Sequence, residues 1–342
     1  MKRCAPFLLS LIWSSASAAE ADYRYRLTSL FQPDRIEEFR HLMSEKFPEI
    51  RVMEVDFHTA IATLRLDLKQ IKDIKGLNTA KNPEELRSKL SLLLRGASRG
   101  VFEFLPLSEV PADQIEEALI PISGLDCKGC TYAAYKAVAR VDGVEYATAS
   151  LKTGEVRVRF DRRKTSVTAV EEALNQAQIA TLYRIEAENL VPPSEMKIVR
   201  CSSEETQRDE VYFHSSGEAS NVLDGDPLTK WSSHYTKGET PPHPHELVID
   251  LGKTRKIAGF RYLPRQLGYG GQFAKTEFFV SENARDFGDK PAAETTFTAS
   301  KRAQAADCPL PVSGRYVLVR VMSEIRGKPI AAAAEIGVVQ AP

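Results

Sequence analysis

Apolar positions across residues 23–107 switch between a period of two and a period near 3.6, and the switches mark elements in the order β-α-β-β-α-β. Tyr25 and Leu27 mark a strand, and Ile36, Phe39, Met43 and Phe47 the buried face of a helix. Two strands follow, the second alternating Ala62, Leu64, Leu66 and Leu68. Asn82-Pro83-Glu84-Glu85 has the form of a helix start, with an N-cap, proline at the first helical position and early acids. That helix presents Leu86, Leu90, Leu93 and Leu94, and a strand over 101–105 closes the set.

Residues 119–185 repeat the order. A strand ends at Ile122, and the next helix buries Ala134, Val138 and Val141 before Asp142-Gly143 turns the chain. Two alternating strands carry Ala147, Ala149, Leu151 and then Val156, Val158, Phe160, joined by the hairpin signal Lys152-Thr153-Gly154. A helix from Ser166 buries Val170, Leu174 and Ala177, and a last strand runs over 181–185. Both stretches read as split-βαβ, ferredoxin-like βαββαβ units. After Pro192-Pro193-Ser194 the texture changes to short strands between Gly, Pro, Asn and Asp, at 197–200, 247–251, 257–263, 278–281, 316–321 and 336–339. With no convincing helix among them, an antiparallel β-sandwich is expected, so the fold class is α+β followed by all-β.

The chain opens with Met1-Lys2-Arg3, an apolar run over 6–13 and small residues to Ala19, the form of a secretory signal peptide. The run is too short for a permanent span, and no later stretch reads as a transmembrane segment. Export to a periplasmic, cell-surface or extracellular location is expected. The expected domains are a signal peptide at 1–19, a cysteine-free unit at 20–110, a second unit at 116–187, a linker at 188–195 and the sandwich at 196–342. Basic and acidic residues number 46 each, and removing Lys2 and Arg3 leaves 44 against 46, a net of −2. That balance supplies no electrostatic footprint for nucleic acid or an anionic membrane.

Of five cysteines, Cys4 falls in the leader, leaving Cys127, Cys130, Cys201 and Cys308. Cys201 and Cys308 share one composition block, and in an oxidising compartment their pairing is expected to stabilise the fold by about 4–5 kcal/mol of chain entropy. Cys127 and Cys130 stand where a strand passes into a helix, so the helix N-terminus favours their thiolates. Two soft sulfurs at this spacing suit Cu(I) or another thiophilic ion, whereas zinc normally takes two further ligands that are not nearby in sequence. A redox-active or structural disulfide is the competing reading.

The loop Gly124-Leu125-Asp126-Cys127-Lys128-Gly129-Cys130, Gly143-Val144 after the helix, and Thr153-Gly154 before Val156-Arg157-Val158 resemble the heavy-metal-associated domain. Copper chaperones, copper-transporting ATPases and periplasmic mercury-binding proteins carry that domain. The resemblance implies metal binding by Cys127 and Cys130 and a protein partner for metal exchange. Leu125 replaces the family's usual methionine, Asp126 puts an acid before the first cysteine, and the late loop reads Gln176-Ala177-Gln178-Ile179.

Residues 221–231 place Asn221, Asp224, Asp226 and Thr229 in a glycine-containing turn ahead of Trp231, hard oxygen donors suited to calcium. The Asp224-Gly225-Asp226 and Thr229-Lys230-Trp231 turn resembles the discoidin, or coagulation factor 5/8 type C, domain, which is close to the family 32 carbohydrate-binding modules. So do residues 246–252, 259–265, 279–281, 314–317 and 334–336. The resemblance implies a calcium held by Asp224, Asp226, Thr229, Glu335 and the Ala334 carbonyl. Loops at one end of such a sandwich grip a sugar with an aromatic face and a few polar groups, and the candidates are His234, Tyr235, Arg265, Tyr269 and Gln272. Pro242-His243-Pro244-His245 reads as a strand lead-in rather than a metal tract.

No nucleophile elbow, zincin helix, phosphate loop or dinucleotide fingerprint is present in the sequence. The expected protein is an exported, non-enzymatic binder of a metal ion, with a sandwich for glycan or envelope attachment. A thiol-disulfide oxidoreductase and an adhesin with a structural disulfide are the alternatives.

Overall fold

The computed structural model describes residues 20–68, 74, 77–125, 127–207, 216–236 and 240–342. The expected signal peptide and the acid Asp126 lie outside the described residues. The chain divides into two compact units, Met1–Pro111 and Ala112–Pro342.

In the first unit, strands β1 (Ala21–Leu27), β2 (Arg51–Asp56), β3 (Ile61–Leu66) and β4 (Phe104–Leu105) form an antiparallel sheet in the order β2-β3-β1-β4. Helices α1 (Arg35–Lys46) and α2 (Pro83–Ala97) complete the βαββαβ order. The Asn82 side chain caps α2 by accepting from Glu85 N at 2.8 Å. Alternation in β3 buries Ala62, Leu64 and Leu66, and Phe39 of α1 meets Phe102 and Phe104 edge-on. Leu30 and Phe31, both buried, fill the junction between β1 and α1.

The second unit opens with β5 (Ile115–Pro121), α3 (Lys128–Val138), β6 (Val144–Ser150), β7 (Glu155–Asp161) and α4 (Val167–Gln176). Its sheet has the order β5-β7-β6, all antiparallel. Ile120, Ala134, Val138, Ala149, Val156, Val158, Phe160, Val170 and Leu174 form its core. Leu151 and Ala177, expected inside, are exposed because one sits in the hairpin and the other caps α4.

The strand expected over 181–185 is reduced to one bridge, Thr181 to Ile122, with Leu182 N donating to Pro121 O. The reason is a competing partner. Thr181 Oγ1 and Tyr183 N donate to Gln266 Oε1 at 2.8 and 2.9 Å, which draws this edge onto the sandwich.

The sandwich is antiparallel throughout its named pairs. Strands β8 (Lys197–Cys201), β10 (His245–Leu263), β11 (Lys275–Ser281), β12 (Ala293–Thr296), β13 (Gln304–Val321) and β15 (Glu335–Gln340) form the main sheet, ordered β12-β11-β13-β10-β15 with β8 also on β10. A small pair joins β9 (Trp231–Ser232) and β14 (Ala332–Ala333). The stretches 247–251 and 257–263 are one strand, not two. Gly252 at φ 75° bends it, Asp250 accepts from the Gly252 amide, and the ladder to β13 resumes at Arg255. The core contains fully buried Trp231, whose Nε1 donates to Ser203 O, and stacked pairs Tyr262–Phe273 and Phe260–Phe278.

Candidate metal centre and ligand sites

Cys127 is the N-cap of α3, in extended backbone geometry, and its sulfur accepts from Cys130 N at 3.1 Å. Cys130 lies in the first helical turn, which carries no acid. The two α-carbons are 5.2 Å apart and the sulfurs are joined as a disulfide. Cys127 is exposed and Cys130 half-buried, while Leu125 tucks under the loop against the core, as do Ile179 and Tyr183. Reduction by two electrons releases two thiolates at a helix N-terminus, where the dipole favours the anions. Among the described residues no group of three or more His, Cys, Asp and Glu is arranged to hold a metal. The thiol site is therefore a two-sulfur site open to solvent, a geometry suited to a soft ion accepting near-linear coordination.

Cys201 and Cys308 are both free, a correction to the expected disulfide. Cys201 faces Leu247 across β8 and β10, whereas Asp307, beside Cys308, faces Gly259. Twelve positions of β10, which bends at Gly252, separate those contacts, about 40 Å of strand contour. A disulfide requires α-carbons within about 7 Å.

At the acidic turn, Thr229 Oγ1 donates to Asp224 Oδ2 at 2.7 Å, Asp224 Oδ1 accepts from Asp226 N, and Asp226 Oδ1 accepts from Leu228 N. Glu335, 8% exposed, faces this turn, and its Oε1 has no hydrogen-bond partner among the described residues. Burial first, then the Asp224 carboxylate, pushes the Glu335 carboxyl up to about 8. An orphaned buried oxygen against a second carboxylate is what a cation site presents. The structure thus brings Glu335, Asp224 and Thr229 together, while the Asp226 carboxylate is turned onto Leu228 N.

The five sugar candidates do not form one open surface. Tyr269 is buried, its hydroxyl 3.5 Å from Thr168 O, with Lys301 Nζ 4.1 Å and Arg326 Cζ 5.3 Å from its ring centroid. Gln272 is buried at 1% exposure and donates to Ser300 O at 2.7 Å. These two are corrected from ligand groups to packing groups in this conformation. Arg265 is half-buried, its Nε donating to Leu267 O at 2.7 Å. His234 Nδ1 lies 3.5 Å from Glu205, and Tyr235, 40% exposed, donates its backbone N–H to the same carboxylate.

Glu205 was not singled out by sequence. It is 2% exposed and also accepts from Gln207 N, Thr236 N and Thr236 Oγ1, and those donors hold its carboxyl below the usual range against the cost of burial. A lone glutamate among polar loop residues carried no sequence signal. The segment after β9 and the loop before Phe273 both bind residues 331–332, through Ser233 N to Ala331 O and Ala332 N to Gly271 O. His243 and His245 point their ring nitrogens at the Val321, Lys328 and Pro329 carbonyls, 3.1 Å in each case, and so serve as loop ties.

A profile of the heavy-metal-associated domain matches residues 119–178, and one of the F5/8 type C domain matches residues 199–336. Over 55 residues the chain is 34% identical to the copper chaperone CopZ of Staphylococcus saprophyticus, covering 16% of this chain and 81% of the chaperone. Over 149 residues it is 36% identical to a sialidase of Micromonospora viridifaciens, covering 44% of this chain. It spans only 22% of the sialidase, about a fifth of that relative's length. Among solved structures, the family 32 CBM from C. perfringens NanJ in complex with galactose has 25% identity and a TM-score of 0.37, covering 44% of this chain and 97% of that module. The thiol loop at the N-terminus of α3 falls inside the first matched region and the acidic turn inside the second: the chain belongs to the heavy-metal-associated domain proteins and carries a C-terminal discoidin, or coagulation factor 5/8 type C, domain.

Proposed function

We propose that the protein is an exported, non-enzymatic metal-binding protein that takes Cu(I) as cargo on the reduced Cys127–Cys130 pair and attaches to carbohydrate through its sandwich. The observation that carries the metal half is the pair itself, at a helix N-terminus with Cys127 exposed and, among the described residues, no third ligand arranged beside it. An open two-sulfur site binds a soft ion and releases it to another thiolate pair by ligand exchange, so a protein partner for metal transfer follows from the chemistry. Calcium in the sandwich is supported by the orphaned Glu335 oxygen beside Asp224, with Thr229 and Asp226 holding the turn. Once bound, calcium supplies the counter-charge those two carboxylates need. For the sugar, Arg265, His234 and Tyr235 remain, backed by Glu205.

Cu(I) titration of reduced protein against a chromophoric competitor tests the metal half. Stoichiometric uptake by the wild type, lost in Cys127→Ser/Cys130→Ser, is the expected result; equally weak uptake by both refutes it. The disulfide favours one second reading, a thiol-disulfide oxidoreductase. Insulin reduction measured with dithiothreitol separates the two, since a metal carrier leaves the background rate unchanged.

A further inference from the structure

Helix α4 has two working faces. Val170 and Leu174 enter the core of its own unit. Thr168, Glu171, Glu172 and Asn175 follow the i, i+3, i+4, i+7 pattern of one further stripe, and all four are polar. Such a stripe normally faces water, yet Glu171 and Asn175 are 1% and 6% exposed.

The loop end of the sandwich covers them. Gly268 N donates to Asn175 Oδ1 at 2.8 Å, Tyr269 reaches Thr168 O, and Arg326 lies 3.4 Å from Glu172. Lys301, fully buried, donates to Arg265 O and Gly268 O and supports the same loop. Just beyond α4, Thr181 and Tyr183 hang on Gln266. This loop end carries Arg265 and Tyr269. Arg326 lies over the Tyr269 ring, and Glu172 of the metal unit holds it there. A sugar needs an open aromatic face to stack its C–H side upon.

We propose that the metal unit is a built-in plug of the sandwich's loop end, so that carbohydrate gains the Arg265–Tyr269 surface only when α4 lifts away. The contact is polar and therefore separable. Burial pushes the Glu171 carboxyl up and, with the Arg265 charge, pushes the Lys301 amine down to about 6, so both groups regain solvation on opening. The link is also in place. Residues 182–187 have no regular secondary structure, and Asn189, Leu190 and Val191 are tied to β15 on the sandwich side. This inference rests on the carbohydrate half of the proposed function.

The test compares wild-type full chain with Glu171→Lys/Asn175→Lys, which sets two cations against Lys301, Arg302 and the Gly268 N–H. Both positions point away from the α4 core face, and unchanged Cu(I) uptake checks that the metal unit is folded. Glu172→Arg, at a half-exposed position, is the milder second variant. Small-angle scattering reads undocking, and immobilised galactose- and N-acetylgalactosamine-terminated glycans are the probe. The expected result is expansion of the double variant with at least tenfold tighter glycan binding, and a smaller gain for Glu172→Arg. A double variant that stays compact, or one that expands yet binds as the wild type does, overturns the plug while leaving carbohydrate binding standing. If no form binds any glycan, expanded or not, the plug and the carbohydrate reading fall together.

Discussion

Replacing Glu335 by Gln separates a cation site from ordinary packing, because the two readings predict opposite signs without metal. Glu335 is 8% exposed, its Oε1 has no partner among the described residues, and its carboxyl faces Asp224. Leaving a buried polar group unpaired costs about 1–3 kcal/mol, and more for a charge. The Glu335 carboxyl is pushed up to about 8, so above that pH glutamine keeps the shape, removes a buried charge and can donate its amide to Asp224. In chelator at such a pH, Glu335→Gln is therefore expected to be more stable than wild type by about 1–3 kcal/mol, or roughly 2–12 °C in Tm for a domain of this size. In calcium at 100 times Kd the wild type gains about 2.7 kcal/mol from binding. The variant, short of one carboxylate ligand, gains far less, so its lead shrinks, and the order of melting reverses where that lead is below about 2.7 kcal/mol. Differential scanning calorimetry with chelator and with millimolar calcium reads both arms. Glu335→Gln melting below wild type in chelator, or calcium leaving both unmoved, refutes the reasoning.

Three further perturbations have signs fixed by the structure. Gln266→Leu strips four hydrogen bonds, with Thr181 and Tyr183 on one side and Pro264 and Lys301 carbonyls on the other; at about 1–3 kcal/mol for each buried group left unpaired, chemical denaturation is expected to show a loss of at least about 3 kcal/mol. Gly271→Ala places a Cβ 2.8 Å from that of Ala332 at φ 84°, so a loss of about 2 kcal/mol or more is expected in the same assay. Lys301 is held near 6 against 10.5 when exposed, so between those values the unfolded chain binds the extra proton and stability rises with pH, by up to about 1.4 kcal/mol per unit. Lys301→Met is expected to flatten that slope, and equal slopes in pH-dependent unfolding would show that the amine stays charged. Peptide mapping after alkylation without reductant is expected to find Cys127 linked to Cys130, with Cys201 and Cys308 both alkylated.

What was legible in the sequence was local. The Asn82 and Ser166 caps, the alternation in β3 and β7, and the strand-to-helix setting of Cys127 each depend on residues within one turn or one pairing distance. The misread features are decided at long range. Gly252 and its neighbours carry the chemistry of a turn, and only the resumed ladder at Arg255 makes β10 one strand. Pairing Cys201 with Cys308 followed from compartment and composition, neither of which knows the register that sets them apart.

The polar residues of α4 and of the loop at 264–272 show the same limit with a functional consequence. Thr168, Glu171, Glu172 and Asn175 have the composition of a solvated stripe, and Arg265, Tyr269 and Gln272 that of an open sugar loop. Each reading is sound for its domain alone. Apposed, the two polar surfaces satisfy each other through Asn175 to Gly268, Thr181 to Gln266 and Glu172 to Arg326. A polar surface fits water and a complementary polar surface equally well, so composition does not separate an open site from a docked one. The separation comes from burial: a glutamate at 1% exposure and a lysine at 0% stand on facing elements, and burying such groups is costly unless partners meet them there. Their burial on both sides of one contact is the observation behind the plug proposed above, and the part of the loop end it concerns is the Arg265–Tyr269 surface.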